Sequence, residues 1–203
     1  MKQETGMKVI GLTGGSGSGK STVAAILETQ YGAKLLLADE IARKQMEPGE
    51  AVYQKIAAYY GPGILLPDGR LDRKQIAAVI FRDAKERDAL DQIVHPAVIS
   101  EILRQIEVFR RAGEKLVVVE SAILAESGCR SFCDEVWVVT APAGIRAERL
   151  AASRAYTRER IETMFAAQKT EQEYAKTADF LLENTGSLQD LEKKIKNHFS
   201  VDN

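Results

Sequence analysis

The chain has 203 residues, enough for one sizeable domain or for a core domain with insertions. Hydrophobic residues make up 45% and charged residues 28%, as in ordinary soluble globular proteins, and the net charge of −1 gives no positive field for a nucleic-acid partner. No apolar run approaches the length of a membrane span. Two cysteines are too few for a disulfide scaffold. We therefore expect a cytoplasmic protein with no nucleic-acid and no membrane partner.

The first predicted elements are a buried strand and a helix. KVIGLTG (8–14) is apolar, β-branched and ends in glycine, which favours a strand. After Lys20, apolar residues recur at helical spacing, and Gly32 is placed to end the helix. The residues of this apolar face are Val23, Ala24, Ile26 and Leu27.

Four later segments also have the continuous apolar character of strands that are buried on both faces, as in a parallel sheet. They are AKLLLA (33–38), KLVVVESA (115–122), EVWVVTA (135–141) and FLLEN (180–184). The fold class predicted is therefore α/β, with a parallel-sheet core.

Two segments between the strands are much longer than the dozen or so residues of a simple crossover. The first, 41–114, contains an amphipathic helix that includes Val98, Ile102 and Ile106 and that Gly113 is placed to end. The second is 143–178. We expect both to be helical insertions into a core made of 7–40, 115–142 and 179–203.

A glycine-rich stretch follows the first predicted strand and precedes the first predicted helix. Gly14 to Ser21, GGSGSGKS, matches the phosphate-binding loop G-x-x-x-x-G-K-[ST] in its proper strand–loop–helix context. The glycines let backbone N–H groups converge on phosphate oxygens, and the helix N-terminus adds its positive dipole end. Lys20 is expected to reach the β- and γ-phosphates of a nucleotide, and Ser21 to ligate Mg²⁺. The predicted nucleotide-binding residues here are Gly14, Gly15, Ser16, Gly17, Ser18, Gly19, Lys20, Ser21 and Thr22.

Two carboxylates stand at the carboxyl ends of predicted strands, where ligands gather in parallel α/β sheets. Glu120 ends the third strand and is a candidate to hold a metal-bound water. Asp39 follows the second strand and allows two interpretations: a helix N-cap, or a general base beside the phosphates.

The second insertion is rich in arginine. Most of these side chains are expected to be solvated charges on helix faces, with one or two closing over the transferring phosphate. Arg154 is the first choice for that contact and Arg149 the second. The chain also lacks an Asn-Lys-x-Asp stretch that would select guanine, which favours a small kinase over a GTPase. The arginines are Arg146, Arg149, Arg154, Arg158 and Arg160.

An ordered series of motifs resembles the dephospho-CoA kinase family from Met7 to about Phe199. The loop is similar to the family's usual GLTGGIGSGKSTVA, and ADEIAR (38–43) resembles the end of its D-A-D-x-I-A-R motif. The remaining matches are ILLPDGRLDRKQIAAVIF (64–81), IVHPAV (93–98), ERLAASR with the later AAQ (166–168), and ADFLLENTGS (178–187).

The resemblance implies phosphorylation of the ribose 3′-hydroxyl of dephospho-CoA by ATP, the last step of coenzyme A synthesis. It also implies that 41–114 binds CoA and that 143–178 is a lid. Asp39 then becomes the base, and the substrate side includes Arg43, Arg73 and His95. For His95 the alternative is a structural histidine at a helix start before Pro96. His198 is expected to be incidental.

Four residues depart from the family pattern: Leu37, Glu120, Ala155 and Glu171. These departures indicate a divergent branch rather than lost catalysis, because the loop, Asp39 and Arg154 are kept. Two other functions stay open: a kinase for another nucleoside-like or small alcohol acceptor, and a non-catalytic nucleotide-responsive protein. We expect a monomer or a weak homo-oligomer.

Overall fold

The computed structural model describes residues 6–121 and 129–201, apart from the side chains of Cys129, Arg154 and Val201. Its sheet has five strands in the order β2-β3-β1-β4-β5, and the pairs β1–β3, β1–β4 and β4–β5 are parallel. The α/β parallel-sheet prediction is thus confirmed. The strands are β1 Lys8–Thr13, β2 Lys34–Leu37, β3 Leu116–Glu120, β4 Glu135–Thr140 and β5 Phe180–Glu183.

Helices connect the strands and fill both long insertions. The ones that the described residues form are α1 Lys20–Tyr31, α2 Ala38–Gln45, α3 Ala51–Tyr60, α4 Arg73–Arg82, α5 Ala84–Arg111, α6 Ala143–Arg154, α7 Arg158–Ala166, α8 Glu171–Ala175 and α9 Leu188–Val201. Short 3₁₀ turns lie at Pro62–Ile64 and Cys129–Phe132. Within residues 6–121 and 129–201, none of the helices combines the length and the apolar character needed to cross a membrane.

The chain divides into two compact units, which we call the core unit (6–36 and 109–201) and the helical unit (37–108). The core unit contains most of the sheet together with α1 and α6 to α9. The predicted lid, 143–178, lies within it, and its role as a lid stays a prediction, as do the predicted domain boundaries.

The centre of the core unit is made by β1 and β4 between flanking helices. Ile10 and Trp137 are fully buried and pack with Leu27 of α1 and Ile195 of α9. The predicted apolar face of α1 is confirmed, because its four residues are buried. Gly32 ends the helix at a φ of 68°, where a side chain would be strained. This packing fixes the end of β1 and the start of α1, and hence the loop between them.

In the helical unit, α3 and α4 enclose an apolar cluster centred on Ile56, Ile64 and Ile76. The predicted amphipathic helix is present, with Val98 and Ile102 buried on its inner face. The helix starts well before Pro96, however. α5 begins at Ala84 and carries Pro96 in its interior.

The reason lies in the residues upstream of the proline. Leu90, Ile93 and Val94 pack against the apolar cluster at helical spacing, so tertiary packing outweighs the cost of one missing N–H. His95 therefore lies inside a helix and not at its start.

The N-cap interpretation of Asp39 is also wrong. The N-cap of α2 is Leu37, whose side chain makes no capping hydrogen bond, and Asp39 is the second residue of the helix. Asp39 is exposed in the first turn, where its negative charge interacts favourably with the positive end of the helix dipole.

Candidate nucleotide-binding site

The loop between β1 and α1 has a backbone that side chains would obstruct. Gly14, Gly17 and Gly19 have φ angles of 141°, 79° and 102°, which L-residues rarely adopt. A Cβ atom at Gly14 would overlap the carbonyl oxygen of Val139, and one at Gly19 would overlap the side-chain amide of Asn184. The glycines are therefore needed for the path of the loop.

Lys20 folds back across this loop. Its Nζ donates to the carbonyl oxygens of Gly14 and Gly15 at 2.9 and 3.3 Å. Because a phosphate anion is a stronger partner for an ammonium group than a neutral carbonyl, a bound nucleotide would compete for these contacts.

The first turn of α1 presents two exposed hydroxyl residues, Ser21 and Thr22. Gly19 occupies the N-cap position, so no side chain caps the helix. The positive end of the helix dipole thus faces the loop, as in anion-binding helix N-termini. Together with Lys20, this brings the contiguous residues 14–22 into one site.

A side chain from the predicted lid closes on the loop. The backbone N–H of Ser16 donates to Oε1 of Gln168 at 3.0 Å, and Nε2 of Gln168 donates to Oγ of Ser16 at 2.6 Å. Gln168 is the last residue of the AAQ stretch, but it is not among the site residues predicted from sequence. Its place in the AAQ motif was the sequence signal that could have identified it as a site residue.

Arg149 and Asn184 form a second contact with the loop. The carbonyl of Ser18 accepts from Nδ2 of Asn184 at 2.8 Å and from Arg149 at 3.3 Å. Arg149 also donates to the carbonyl of Asn184 at 3.0 Å, while the N–H of Asn184 bonds to Thr140 at the end of β4. Arg149 thus lies at the loop, and its predicted contact with the nucleotide stays a prediction. Asn184 was missed, and its position directly after β5 was the only signal.

The other arginines of the predicted lid differ in how far their side chains are exposed to solvent. Arg146 is only 6% exposed and lies against Gly15, whereas the Arg158 side chain is 93% exposed and pairs with Glu162. Arg160 stacks on Tyr156 at 3.9 Å. The side chain of Arg154, the first choice from sequence, lies outside the described residues.

Glu120 is half-buried at the end of β3. It is paired in register with Leu12 of β1, and Ser121 donates its N–H to the Leu12 carbonyl. The carboxylate-bearing residue therefore lies beside the strand that leads into the loop. A carboxylate here and the hydroxyl of Ser21 are oxygen ligands of the kind that Mg²⁺ prefers.

The helical unit holds the predicted acceptor-side residues. Asp39 and Arg43 are exposed, one turn apart on α2. Arg73 donates to the carbonyl of Arg43 at 3.4 Å and forms an ion pair with Glu47 at 3.1 Å. Arg43 and Arg73 are thus neighbours.

His95 lies on α5, 3.4 Å from the carboxylate of Asp91 one turn earlier. The side chain of Gln45, at the end of α2, donates to the carbonyl of Ala97 at 3.1 Å and joins α2 to this part of α5. The substrate-binding roles of Arg43, Arg73 and His95 and the catalytic role of Asp39 stay predictions.

A parallel sheet whose central strand leads through a glycine loop into a helix that begins Lys-Ser-Thr defines the class of the molecule. It is a phosphate-loop (P-loop) nucleotide-binding fold.

Comparison with known proteins defines the family. The model of the dephospho-CoA kinase family matches residues 8–190. A relative from Symbiobacterium thermophilum named dephospho-CoA kinase is 44% identical over 182 residues, covering 90% of this chain and 76% of its own. The chain therefore belongs to the dephospho-CoA kinase family.

Solved structures agree with this fold. The crystal structure of TT1252 from Thermus thermophilus matches with a TM-score of 0.82 at 34% identity, covering 96% of this chain and 97% of its own. The dephospho-CoA kinase of Campylobacter jejuni matches with a TM-score of 0.69 at 24% identity over 95% of each chain, a likeness that shows the fold.

Proposed function

We propose that this chain transfers the γ-phosphoryl group of ATP to the ribose 3′-hydroxyl of dephospho-CoA, giving CoA and ADP, the last step of coenzyme A synthesis. The family match over residues 8–190 carries the proposal. The geometry of the phosphate loop supports it, because residues 14–22 bring backbone donors, an ammonium group and a helix N-terminus together.

Positioning and charge neutralisation supply most of the catalysis of phosphoryl transfer. On binding ATP, Lys20 exchanges its bonds to the Gly14 and Gly15 carbonyls for bonds to phosphate oxygens. The N–H of Ser16 is released from Gln168 in the same way, since Gln168 holds it through a neutral amide. The loop then holds the phosphates while the lid, 143–178, excludes water.

Asp39 is the proposed base. Its carboxylate accepts the proton of the 3′-hydroxyl as the oxygen–phosphorus bond forms and the bond from the γ-phosphorus to the bridging oxygen of ADP breaks. Arg43, Arg73 and His95 are the proposed contacts for dephospho-CoA. Arginine suits this task because its planar fork pairs with the oxygens of the substrate's diphosphate.

Magnesium is part of the same proposal. Ser21 and Glu120 offer a hydroxyl and a carboxylate, the latter acting through a bound water, and Mg²⁺ when bound would neutralise charge on the β- and γ-phosphates. A cytoplasmic location and a monomeric or weakly self-associating state also belong to this proposal.

The test is ADP release by purified protein with ATP, Mg²⁺ and dephospho-CoA, with adenosine and pantetheine as separate control acceptors. We expect release that depends on dephospho-CoA. Faster release with another acceptor would favour a kinase of different specificity. Nucleotide binding with no turnover of any acceptor would favour a nucleotide-responsive protein instead.

A further inference from the structure

Arg146 is a guanidinium group buried against the phosphate loop. It is 6% exposed, and a Cβ atom at Gly15 would overlap its terminal nitrogen. Its own backbone packs on Gly17, because a Cβ there would meet the Arg146 carbonyl oxygen at 2.6 Å. Helix α6 therefore fixes both the backbone and the side chain of Arg146 to the loop.

The charge of this side chain is not neutralised within the described part of the chain. Its Nε is buried and has no hydrogen-bond partner, and no carboxylate among residues 6–121 and 129–201 forms an ion pair with it. The guanidinium stacks on the ring of Phe165 of α7, 4.2 Å from the ring centroid. An aromatic face attracts a cation, but it does not satisfy the N–H donors of the guanidinium fork.

A buried and unpaired charge is unfavourable for folding unless a ligand of opposite charge binds it. The groups around Arg146 identify that ligand. Lys20 places a second cation on the Gly15 carbonyl, at 3.3 Å, and the loop itself offers backbone donors. Two cations and a set of N–H donors at one loop match an anion with several oxygens, which the guanidinium fork binds bidentately.

We propose that Arg146 binds the phosphate chain of the nucleotide together with Lys20. The inference deepens the proposed function and rests on it for the identity of the nucleotide. Phe165 acts as a positioning residue, because its ring holds the guanidinium plane against the loop. Arg146 thereby couples phosphate binding to α7.

The test compares Arg146→Met with Arg158→Met, a matched change of the exposed arginine in the same predicted lid. Calorimetry measures the dissociation constant of a non-hydrolysable ATP analogue, and thermal unfolding is followed without nucleotide. We expect Arg146→Met to weaken analogue binding about 10- to 100-fold, the range for a charge-assisted hydrogen bond. The melting temperature without nucleotide should be equal or higher, because methionine removes an unpaired buried charge. Arg158→Met should change the dissociation constant by no more than about twofold and the melting temperature by no more than about 1 °C.

Binding of the analogue by Arg146→Met within about twofold of wild type would overturn the inference. So would a lower melting temperature without nucleotide, because that is the result of a purely structural arginine. Should Arg146→Met not fold, Arg146→Lys and Phe165→Leu replace it. We expect each to weaken binding about 3- to 30-fold, and unchanged affinity in both would overturn the inference.

Wild-type protein distinguishes this inference from the function on which it rests. If wild type binds the analogue but releases no ADP with dephospho-CoA, the proposed function fails, and the comparison of the two arginine variants still decides the role of Arg146. If wild type is active and Arg146→Met binds the analogue normally, the inference alone fails.

Discussion

The two units present their functional groups in different ways. In the core unit, the loop at 14–22 is held by buried strands, by glycines that admit no side chain, and by Gln168, Arg149 and Asn184 packed against it. In the helical unit, Asp39 and the acceptor-side residues are side chains spread over three helices and at least partly exposed.

This difference indicates a division of labour. Under the proposed function, phosphate binding depends largely on the backbone of the loop, so a change to that backbone alters the fold of the loop. Acceptor binding would depend on surface side chains, so it could change while the helices remain intact. Substitutions in the two units should therefore separate loss of function from loss of stability to different degrees.

Lys20→Ala should give the largest effect on catalysis. It removes the ammonium that is expected to neutralise phosphate charge, so we expect kcat/KM to fall about 10³-fold. The melting temperature should fall by about 2–4 °C, because the variant loses the hydrogen bonds that Lys20 donates to the Gly14 and Gly15 carbonyls. Steady-state kinetics beside circular dichroism checks this, with the exposed Lys34→Ala as the matched control. A folded Lys20→Ala variant with near-normal turnover would refute the phosphate-loop assignment.

Asp39→Asn should give the next largest effect, and in the helical unit it should affect function alone. A general base contributes about 10²–10⁴-fold, and we expect the lower end because the base acts late in a loose transition state. Since Asp39 is not the N-cap of α2, its stability role is small and the melting temperature should not change. The measurement is kcat together with the affinities for ATP and dephospho-CoA.

The neighbouring Glu40→Gln, also exposed in the first turn of α2, is the control and should retain full activity. Should Asp39→Asn keep its kcat, Asp39 would no longer be a catalytic candidate. Glu120 would then be the next carboxylate to test as the base.

The sequence predicted those features that are contiguous in the chain. The five strands, α1 and the phosphate loop each depend on a local pattern of apolar residues and glycines, and each was found within one or two residues where the structure describes it. The last predicted residue of the third strand, 122, lies outside the described residues.

The features that sequence reasoning missed depend on tertiary contacts. Gln168 and Asn184 lie more than 150 residues after the loop that they contact, and only the sheet order and the helix packing bring them there. Arg146 was one of five similar arginines until burial distinguished it. The start of α5 was missed because Pro96 is a local signal that packing upstream of it overrides.

Two glycine substitutions should sharpen the contrast between the units in stability. Gly14→Ala combines a φ of 141° with an overlap on the Val139 backbone, which cannot move out of the way like a side chain. We expect it to lower the free energy of unfolding by about 2–3 kcal/mol. Gly69→Ala, at a φ of 83° in the helical unit, meets open space and should cost about 1 kcal/mol from backbone strain alone. Denaturant unfolding measures both, and equal losses would contradict the argument.

The smallest expected effect concerns acid stability, where an ion pair in each unit can be compared. In the core unit, Asp179 accepts hydrogen bonds from Arg130 at 2.6 and 2.8 Å and from the N–H of Val136 at 2.7 Å, and the Arg130 contact lowers its pKa. In the helical unit, the pKa of Asp68 is lowered mainly by its hydrogen bond to Arg70, two residues away on the surface.

A lowered pKa means that the contribution of each carboxylate to stability is complete above the unfolded pKa of about 3.9. That contribution is lost as the pH falls through the folded pKa. Because Asp179 joins the start of β4 to the residue before β5, while Asp68 joins only its own turn, we expect Asp179→Asn to cost about 1 kcal/mol at pH 7 after solvent screening. The same substitution should flatten the loss of stability as the pH falls below about 4, and Asp68→Asn, in an exposed turn, should flatten it less. Urea unfolding across this range is the measurement, and an unchanged profile in Asp179→Asn would show that the Arg130 pair does not stabilise the core unit.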